Sequence, residues 1–283
     1  MSSEQQTWTE EIKSQESLFS VNLKEVWRYR DLLLMLVKRD YVTFYKQTIL
    51  GPIWFFIQPA LTTIVYVILF GRLAGLSTDG TPQIAFYLAG ITIWNYFSES
   101  LTKTSTVFKD NAAVMGKVYF PRLIMPLSIV VSAMMKFGIQ FVLFLGVVLY
   151  YTFIEKVIHP NLWILAIPYL LLLMASLSLG LGMIFSSLTT KYKDLVFLLT
   201  FGIQLFMYAT PVVYSIGSIP ARYQWLVLAN PLTPIFECVR YGFLGSGSFE
   251  PSSLLLSSGI TVVILALGVL IFNKVEKSFM DTV

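Results

Sequence analysis

The sequence predicts an all-α integral membrane protein with six transmembrane helices, an N-terminal amphipathic helix at the interface, and a re-entrant hairpin on the outer side before the last span. Three observations carry that reading. Of 283 residues, 56% are hydrophobic and only 13% charged, against about 25% charge in an ordinary soluble domain; mean hydropathy is +0.71. The apolar residues gather in six stretches, most of them near the roughly 20 residues that a bilayer demands. The basic residues collect in alternate gaps between those stretches, the pattern that orients polytopic proteins.

Residues 1–22 are polar and partly acidic from Glu4 to Glu16, with no basic end leading into an apolar run, so they read as a loosely ordered cytoplasmic tail and not as a signal peptide. Residues 23–50 read as an amphipathic interface helix. Lys24, Arg28, Asp31, Lys38, Arg39 and Lys46 fall on one side; Leu23, Val26, Trp27, Leu33, Leu34, Val37, Tyr41, Phe44 and Tyr45 fall on the other. Such a helix suits the headgroup layer of the cytoplasmic leaflet, where membrane lipids meet its aromatic face.

Gly51-Pro52 breaks this helix and opens a six-span domain over 51–283, with spans at about 53–70, 84–101, 123–151, 162–188, 195–214 and 254–272. The second span is diluted at its end by Asn95, Ser98, Glu99 and Ser100. The N-terminal segment, the loop Lys103–Arg122, Lys191 with Lys193, and Lys274 with Lys277 hold most of the basic charge, whereas the alternate gaps carry only Arg72, Lys156, Arg222 and Arg240. Both termini are therefore expected in the cytoplasm.

Between the fifth and sixth spans, Thr210–Phe249 is the one long polar interruption late in the chain, and its core, 215–250, reads as a hairpin dipping back into the outer face. Pro231 and Pro234 bracket a turn, a short helix starts near Pro234, and Gly242–Gly247 release it. Glu237 and Arg240, three apart on that helix, are close enough to pair. Lys136, inside the long third span, is a charge that needs a protein or aqueous environment, since at a bilayer centre it costs about 2.5–3.5 kcal/mol. Glu99 and Lys103 read as a span-end pair.

Several functions are excluded. One cysteine, Cys238, and one histidine, His159, allow neither a disulfide framework nor a Cys/His metal cluster within one chain. The net charge of +4 is dispersed over span ends, which argues orientation and not nucleic acid. Gly116-Lys117 lacks the earlier glycine and the following Ser or Thr of a phosphate-cradling loop, so no ATP site is expected in this chain. No nucleophile stands near a base and no carboxylates pair at the surface, so no catalytic residue is expected.

The run Asn230–Gly245 resembles the signature of the membrane subunits of ABC transporters that export polysaccharides, the O-antigen, capsule and teichoic acid exporters. Four further pieces, in order, resemble the same family: Leu50-Gly51-Pro52-Ile53-Trp54 with Gln58-Pro59; Tyr119-Phe120-Pro121-Arg122 with Pro126; Lys191-Tyr192-Lys193-Asp194; and Thr210-Pro211-Val212-Val213-Tyr214. The resemblance implies a permease in a bacterial cytoplasmic (inner) membrane, working as two copies of itself with two copies of a separate ABC ATPase that binds ATP and Mg, and carrying a lipid-linked polysaccharide outward. It implies that the N-terminal helix, with Arg39 and Lys46, and the loop holding Lys117, Tyr119, Phe120 and Arg122 meet the ATPase. It implies an outer gate at Pro231, Pro234, Glu237 and Arg240.

Two stripes suit a sugar pathway: Phe55, Gln58, Thr62 and Tyr66 in the first span, and Phe197, Phe201, Gln204 and Tyr208 in the fifth. Aromatic faces stack on sugar rings and amides hydrogen-bond them without trapping charges; the same spacing also fits plain helix packing. Two other functions stay open, a small-molecule or drug exporter of the same class and a membrane-embedded enzyme of envelope sugar synthesis. The latter would act without an ATPase.

Overall fold

Where water is excluded, a backbone must satisfy its own hydrogen bonds, and a helix does so within one segment. The computed structural model, which describes residues 23–46, 49, 51–115, 120–192 and 194–280, follows that rule: among the described residues every regular element is helical. α1 (Leu23–Arg28) and α2 (Arg30–Lys46) are separated by a break at Tyr29. A 3-10 turn at Gly51–Ile53 leads into α3 (Trp54–Tyr66), which widens into a π-helical stretch at Val67–Leu73. α4 (Gln83–Ser105) is followed by two single turns, α5 (Val107–Asp110) and α6 (Ala112–Met115). Then come α7 (Ile124–Phe153), α8 (Ile167–Lys191) and α9 (Leu195–Tyr208). Two short helices, α10 (Ala221–Leu228) and α11 (Thr233–Leu244), precede α12 (Pro251–Met280).

Four stretches among the described residues are long and apolar enough to cross a membrane: Gly51–Leu73, Ile124–Phe153, Leu162–Lys191 and Pro251–Val275. α9 is apolar but has 14 residues. α4 has 23, with Asn95, Ser98, Glu99 and Lys103 among them. α3, α4, α7, α8, α9 and α12 nonetheless pack into one bundle. Asn95 and Glu99 of α4 meet Gln140 and Lys136 of α7, an antiparallel match, while Thr104 and Ser105 of α4 lie against Gly182 and Thr189 of α8 in turn, a parallel one. One end of the bundle thus gathers α1, α2, α5 and α6; the other gathers the loop 74–82, α10 and α11.

α4 is the axis. Its residues Ala85–Trp94 are buried without a gap, so every face is covered, the condition of a helix at the centre of a bundle. Aromatic pairs bind it outward: Trp94 and Phe97 with Phe206 of α9, Tyr96 with Phe137 of α7, and Tyr87 with Tyr66 of α3. A second cluster closes the α2 end, where Leu36 joins Phe108, Phe120, Ile124, Met183 and Phe272, with Phe108 and Phe272 stacked at 4.6 Å.

The apolar side expected for the N-terminal helix is divided. Leu36 and Val37 are buried on the bundle, Leu33 is half-buried, and Trp27, Leu34 and Met35 point outward. The seat of α2 on α7 divides the stripe, burying one part and leaving the other outward.

α8 and α12 pack closely because glycines face each other. A Cβ at Gly180 would sit 2.8 Å from the Leu265 Cα, and one at Gly268 would sit 2.9 Å from the Gly180 Cα. Small residues let helices approach where lipid supplies no hydrophobic drive between them. Gly180→Val or Gly268→Val is expected to destabilise the fold by about 1–3 kcal/mol, since backbone cannot yield. Gly138→Val, whose Cβ would meet nothing within 4 Å, is the control; thermal unfolding in detergent ranks the three.

Candidate functional site

The site begins with the turn that starts α11. The Asn230 carboxamide oxygen accepts from the Leu232 amide at 2.9 Å, while its nitrogen donates to the Thr210 hydroxyl at 2.8 Å. Thr233 donates to the Val227 carbonyl at 2.5 Å, and Pro234 sits in the first turn of α11, where its missing N–H costs nothing. Ser257 of α12 donates to the Pro231 carbonyl at 2.5 Å. α11 ends at Gly245 with φ +72°, a left-handed cap that favours glycine. The contacts around Pro231 and Pro234 thus place α11 between the end of α9 and the start of α12.

On α11, Glu237 and Arg240 are 3% and 2% exposed. The Glu237 carboxylate accepts from the Ser248 amide at 3.0 Å and stands 3.4 Å from the Arg240 guanidinium. Arg240 does more than pair. Its Nη2 donates to the Val212 carbonyl at 2.9 Å and its Nη1 to the Tyr214 carbonyl at 3.1 Å, so it holds the turn that follows α9. The guanidinium lies 3.7 Å from the Phe86 ring centroid, at the start of α4. Burial pulls the Arg240 pKa down to about 10, against the pull of Glu237, and the group stays cationic at neutral pH.

Asp79 joins this node from the loop 74–82: it accepts from Ser215 at 2.7 Å and its charge bears on Arg240. Its φ of +50° is unusual for a non-glycine residue, though Asp tolerates it. Sequence reasoning missed Asp79, Ser215 and Phe86. The Asp79-Gly80 pair is a turn signal, but nothing local says that this turn reaches residue 215.

A second polar set runs along the α4–α7 seam. Asn95 donates to Gln140 at 3.3 Å; one turn on, Glu99 pairs with Lys136 of α7 and, at 2.7 Å, with Lys103 of its own helix. The Ser132 hydroxyl reaches Asp40 of α2 at 3.5 Å. The spacing of four on both helices makes an antiparallel ladder from mid-bundle to α2. Lys136 therefore faces protein, with its ammonium 5.5 Å from the Phe55 ring. Glu99→Gln, which leaves two ammonium groups facing each other, is expected to cost more than Lys136→Met, which leaves Glu99 paired to Lys103, by about 1–2 kcal/mol in detergent unfolding.

The two stripes fare differently. On α9, Phe197, Phe201 and Tyr208 are 80%, 58% and 54% exposed, and Gln204 is exposed beside them, so the four form one outward face. On α3, Phe55 is buried against Lys136, Gln58 is exposed, Thr62 is half-buried with its hydroxyl on the Gln58 carbonyl, and Tyr66 is half-buried with its hydroxyl 3.5 Å from the Met207 sulfur. Only part of that stripe is open.

Among the residues expected to meet a partner, Arg39 is exposed and held to Asp40 at 2.9 Å, and Lys46 is exposed. Phe120 and Arg122 are buried, Phe120 within the cluster around Phe108. Lys117 and Tyr119 lie outside the described residues. Among the described residues, no three His, Cys, Asp or Glu side chains gather to hold a metal ion.

The family described as ABC-2 type transporter matches residues 31–244. The chain is 29% identical over 252 residues to the O-antigen export system permease protein RfbA of Klebsiella pneumoniae, covering 89% of this chain and 94% of that protein. It is 26% identical over 265 residues to the RfbA protein of Myxococcus xanthus, with 92% and 98% covered. The capsule polysaccharide export inner-membrane protein CtrC of Neisseria meningitidis is 21% identical over 246 residues, with 83% and 88% covered.

Proposed function

This chain belongs to the ABC-2 type transporter family, and from that premise we infer that it is the membrane permease of an exporter of lipid-linked, O-antigen-like polysaccharide, driven by a separate ATPase. The observation that carries the reading is similarity along nearly the whole chain to permeases named for O-antigen export. A family match that ends near α11, at Leu244, takes in the stretch from α2 to the Arg240 node.

In this reading two copies of the chain work with two ATPase subunits, which bind ATP and Mg, in a bacterial inner membrane with both termini in the cytoplasm. All six traversing helices lie in the membrane. α4 tolerates its polar residues because the other helices shield it from lipid, and α9 is completed by the turn at 209–214. α1 and α2 lie at the cytoplasmic surface, with Trp27, Leu34 and Met35 toward headgroups. Arg39 and Lys46 meet the ATPase directly, whereas Phe120 and Arg122 act inside the chain, passing its movement to α7 and α8. Lys117 and Tyr119 belong to the same contact.

Closure of the ATPases draws α3 and α9 of facing copies apart and the polymer advances along the α9 stripe with Gln58 and Tyr66. The hairpin of Pro231, Pro234, Glu237 and Arg240 gates the outer end. The test is to purify the tagged chain from its own membrane and assay ATP hydrolysis, then delete its gene and stain for surface polysaccharide. A co-eluting ATPase near equal stoichiometry and loss of the polymer are expected. A chain that purifies alone, or unchanged surface polysaccharide with lost drug resistance, overturns the reading.

A further inference from the structure

α8 ends at Lys191 and α9 begins at Leu195, yet the two helices do not close on each other. At the far end α9 is pinned: Phe206 meets Trp94 and Phe97, each with ring centroids 6.2 Å apart, and Met207 meets Tyr66. Toward the turn it stands off, leaving a groove of about 430 Å³ walled by Phe185 and Leu188 of α8 and by Leu198 and Gly202 of α9, with Leu101 of α4 and Ile203 beside them. Every lining residue is Leu, Ile, Phe or Gly. A Cβ at Gly202 would meet nothing within 4 Å, so the space continues over that glycine. The volume falls in the range of about 300–1,000 Å³ that holds one small ligand.

The groove runs down to Leu188 and Leu195, which flank the turn. There the sequence Lys191-Tyr192-Lys193-Asp194 carries two lysines and one aspartate, a net charge of +1. Lys191 is exposed, with its ammonium 5.3 Å from the Tyr192 ring centroid. A slot of pure hydrocarbon ending at a cation matches a molecule with an apolar chain and an anionic head. Cytoplasmic-leaflet phospholipids have that form, and each basic residue near such a surface adds about 1 kcal/mol of attraction.

We propose that the α8–α9 groove binds one acyl chain of an anionic phospholipid, with the lipid phosphate at Lys191. The inference rests on α8 and α9 lying in the membrane, and not on the identity of the exported polymer. A seated chain props α9 away from α8 and so sets the tilt of the helix that presents Phe197, Phe201 and Tyr208.

The full assembly, reconstituted in nanodiscs with phosphatidylglycerol or phosphatidylcholine carrying a diazirine midway along one chain, is irradiated and its adducts mapped by peptide mass spectrometry. Adducts are expected to concentrate on 181–188 and 195–206, several-fold above those on the open face of α12 at Leu255 and Val262, and to favour phosphatidylglycerol. Gly202→Phe, which fills the groove, is expected to cut them at least fivefold, and Lys191→Gln to erase the headgroup preference. Should Gly202→Phe fail to fold, competition by unlabelled phosphatidylglycerol against phosphatidylcholine reads the same preference without any substitution. Adducts spread evenly over lipid-facing helices overturn the proposal. So does displacement by a polyprenyl phosphate in preference to phosphatidylglycerol, which would make the groove a carrier site. Efficient disulfide formation between two copies bearing Leu198→Cys in a Cys238→Ser background, without lipid adducts, also overturns it and makes the groove a face between copies.

Discussion

Arg240→Met is expected to abolish export and to lower stability by about 3–5 kcal/mol, the penalty for leaving one partner of a buried ion pair without the other. The guanidinium serves four groups at once: the Glu237 carboxylate, the Val212 and Tyr214 carbonyls, and the Phe86 ring. Glu237→Gln should be milder, about 1–2 kcal/mol, because Arg240 keeps the Val212 and Tyr214 carbonyls and the nearby Asp79 charge, and an amide oxygen still accepts from the Ser248 amide. The double variant Glu237→Met/Arg240→Met separates the roles. If the ion pair alone mattered, removing both charges would restore stability. The expected result is a deficit that persists, since the carbonyls at 212 and 214 remain buried without donors. Thermal unfolding in detergent reads the stability, and staining of surface polysaccharide reads export.

The second large effect belongs to α9. Phe201→Ala with Tyr208→Ala should slow export about tenfold or more, since each ring stacked on a sugar contributes on the order of 1 kcal/mol. Assembly should be intact, because both side chains lie on an open face and hold nothing in the bundle. ATPase activity of the purified complex should stay within about twofold while polymer transfer falls, a split that a folding defect cannot produce. Unchanged transfer would remove this stripe from the pathway. Phe55→Ala is the contrast: its ring covers Lys136, so it should cost stability before it affects transport.

Much of the fold was legible because it rests on local rules. The Gly51-Pro52 break, the long apolar runs, the two prolines around α11 and the three-residue spacing of Glu237 and Arg240 all act within a few residues. What could not be read depends on contacts between distant segments. Asp79 finds Ser215 at a separation of 136 residues, and Thr189 finds the Ser105 carbonyl at 84. The uneven exposure of the stripe on α3 was hidden for the same reason: helical spacing says that four residues share a side, but not that α7 would place an ammonium beside the first of them. Burial of Phe120 and Arg122 was hidden likewise, because an aromatic beside an arginine reads equally as a docking tip and as a core plug.

The ladder between α4 and α7 bears on how the chain is made. A helix carrying Asn95, Glu99 and Lys103 is a poor candidate to leave a translocon for lipid by itself, since each ionised group at mid-membrane is expensive. Glu99 gains its second cation, and Asn95 its amide partner, only when residues 136 and 140 emerge. α4 is therefore synthesised before the segment that completes its polar contacts, and under the proposed function the two helices are expected to enter the bilayer as a paired unit. The order of translation, and not apolarity alone, is then expected to decide when this helix joins the bundle.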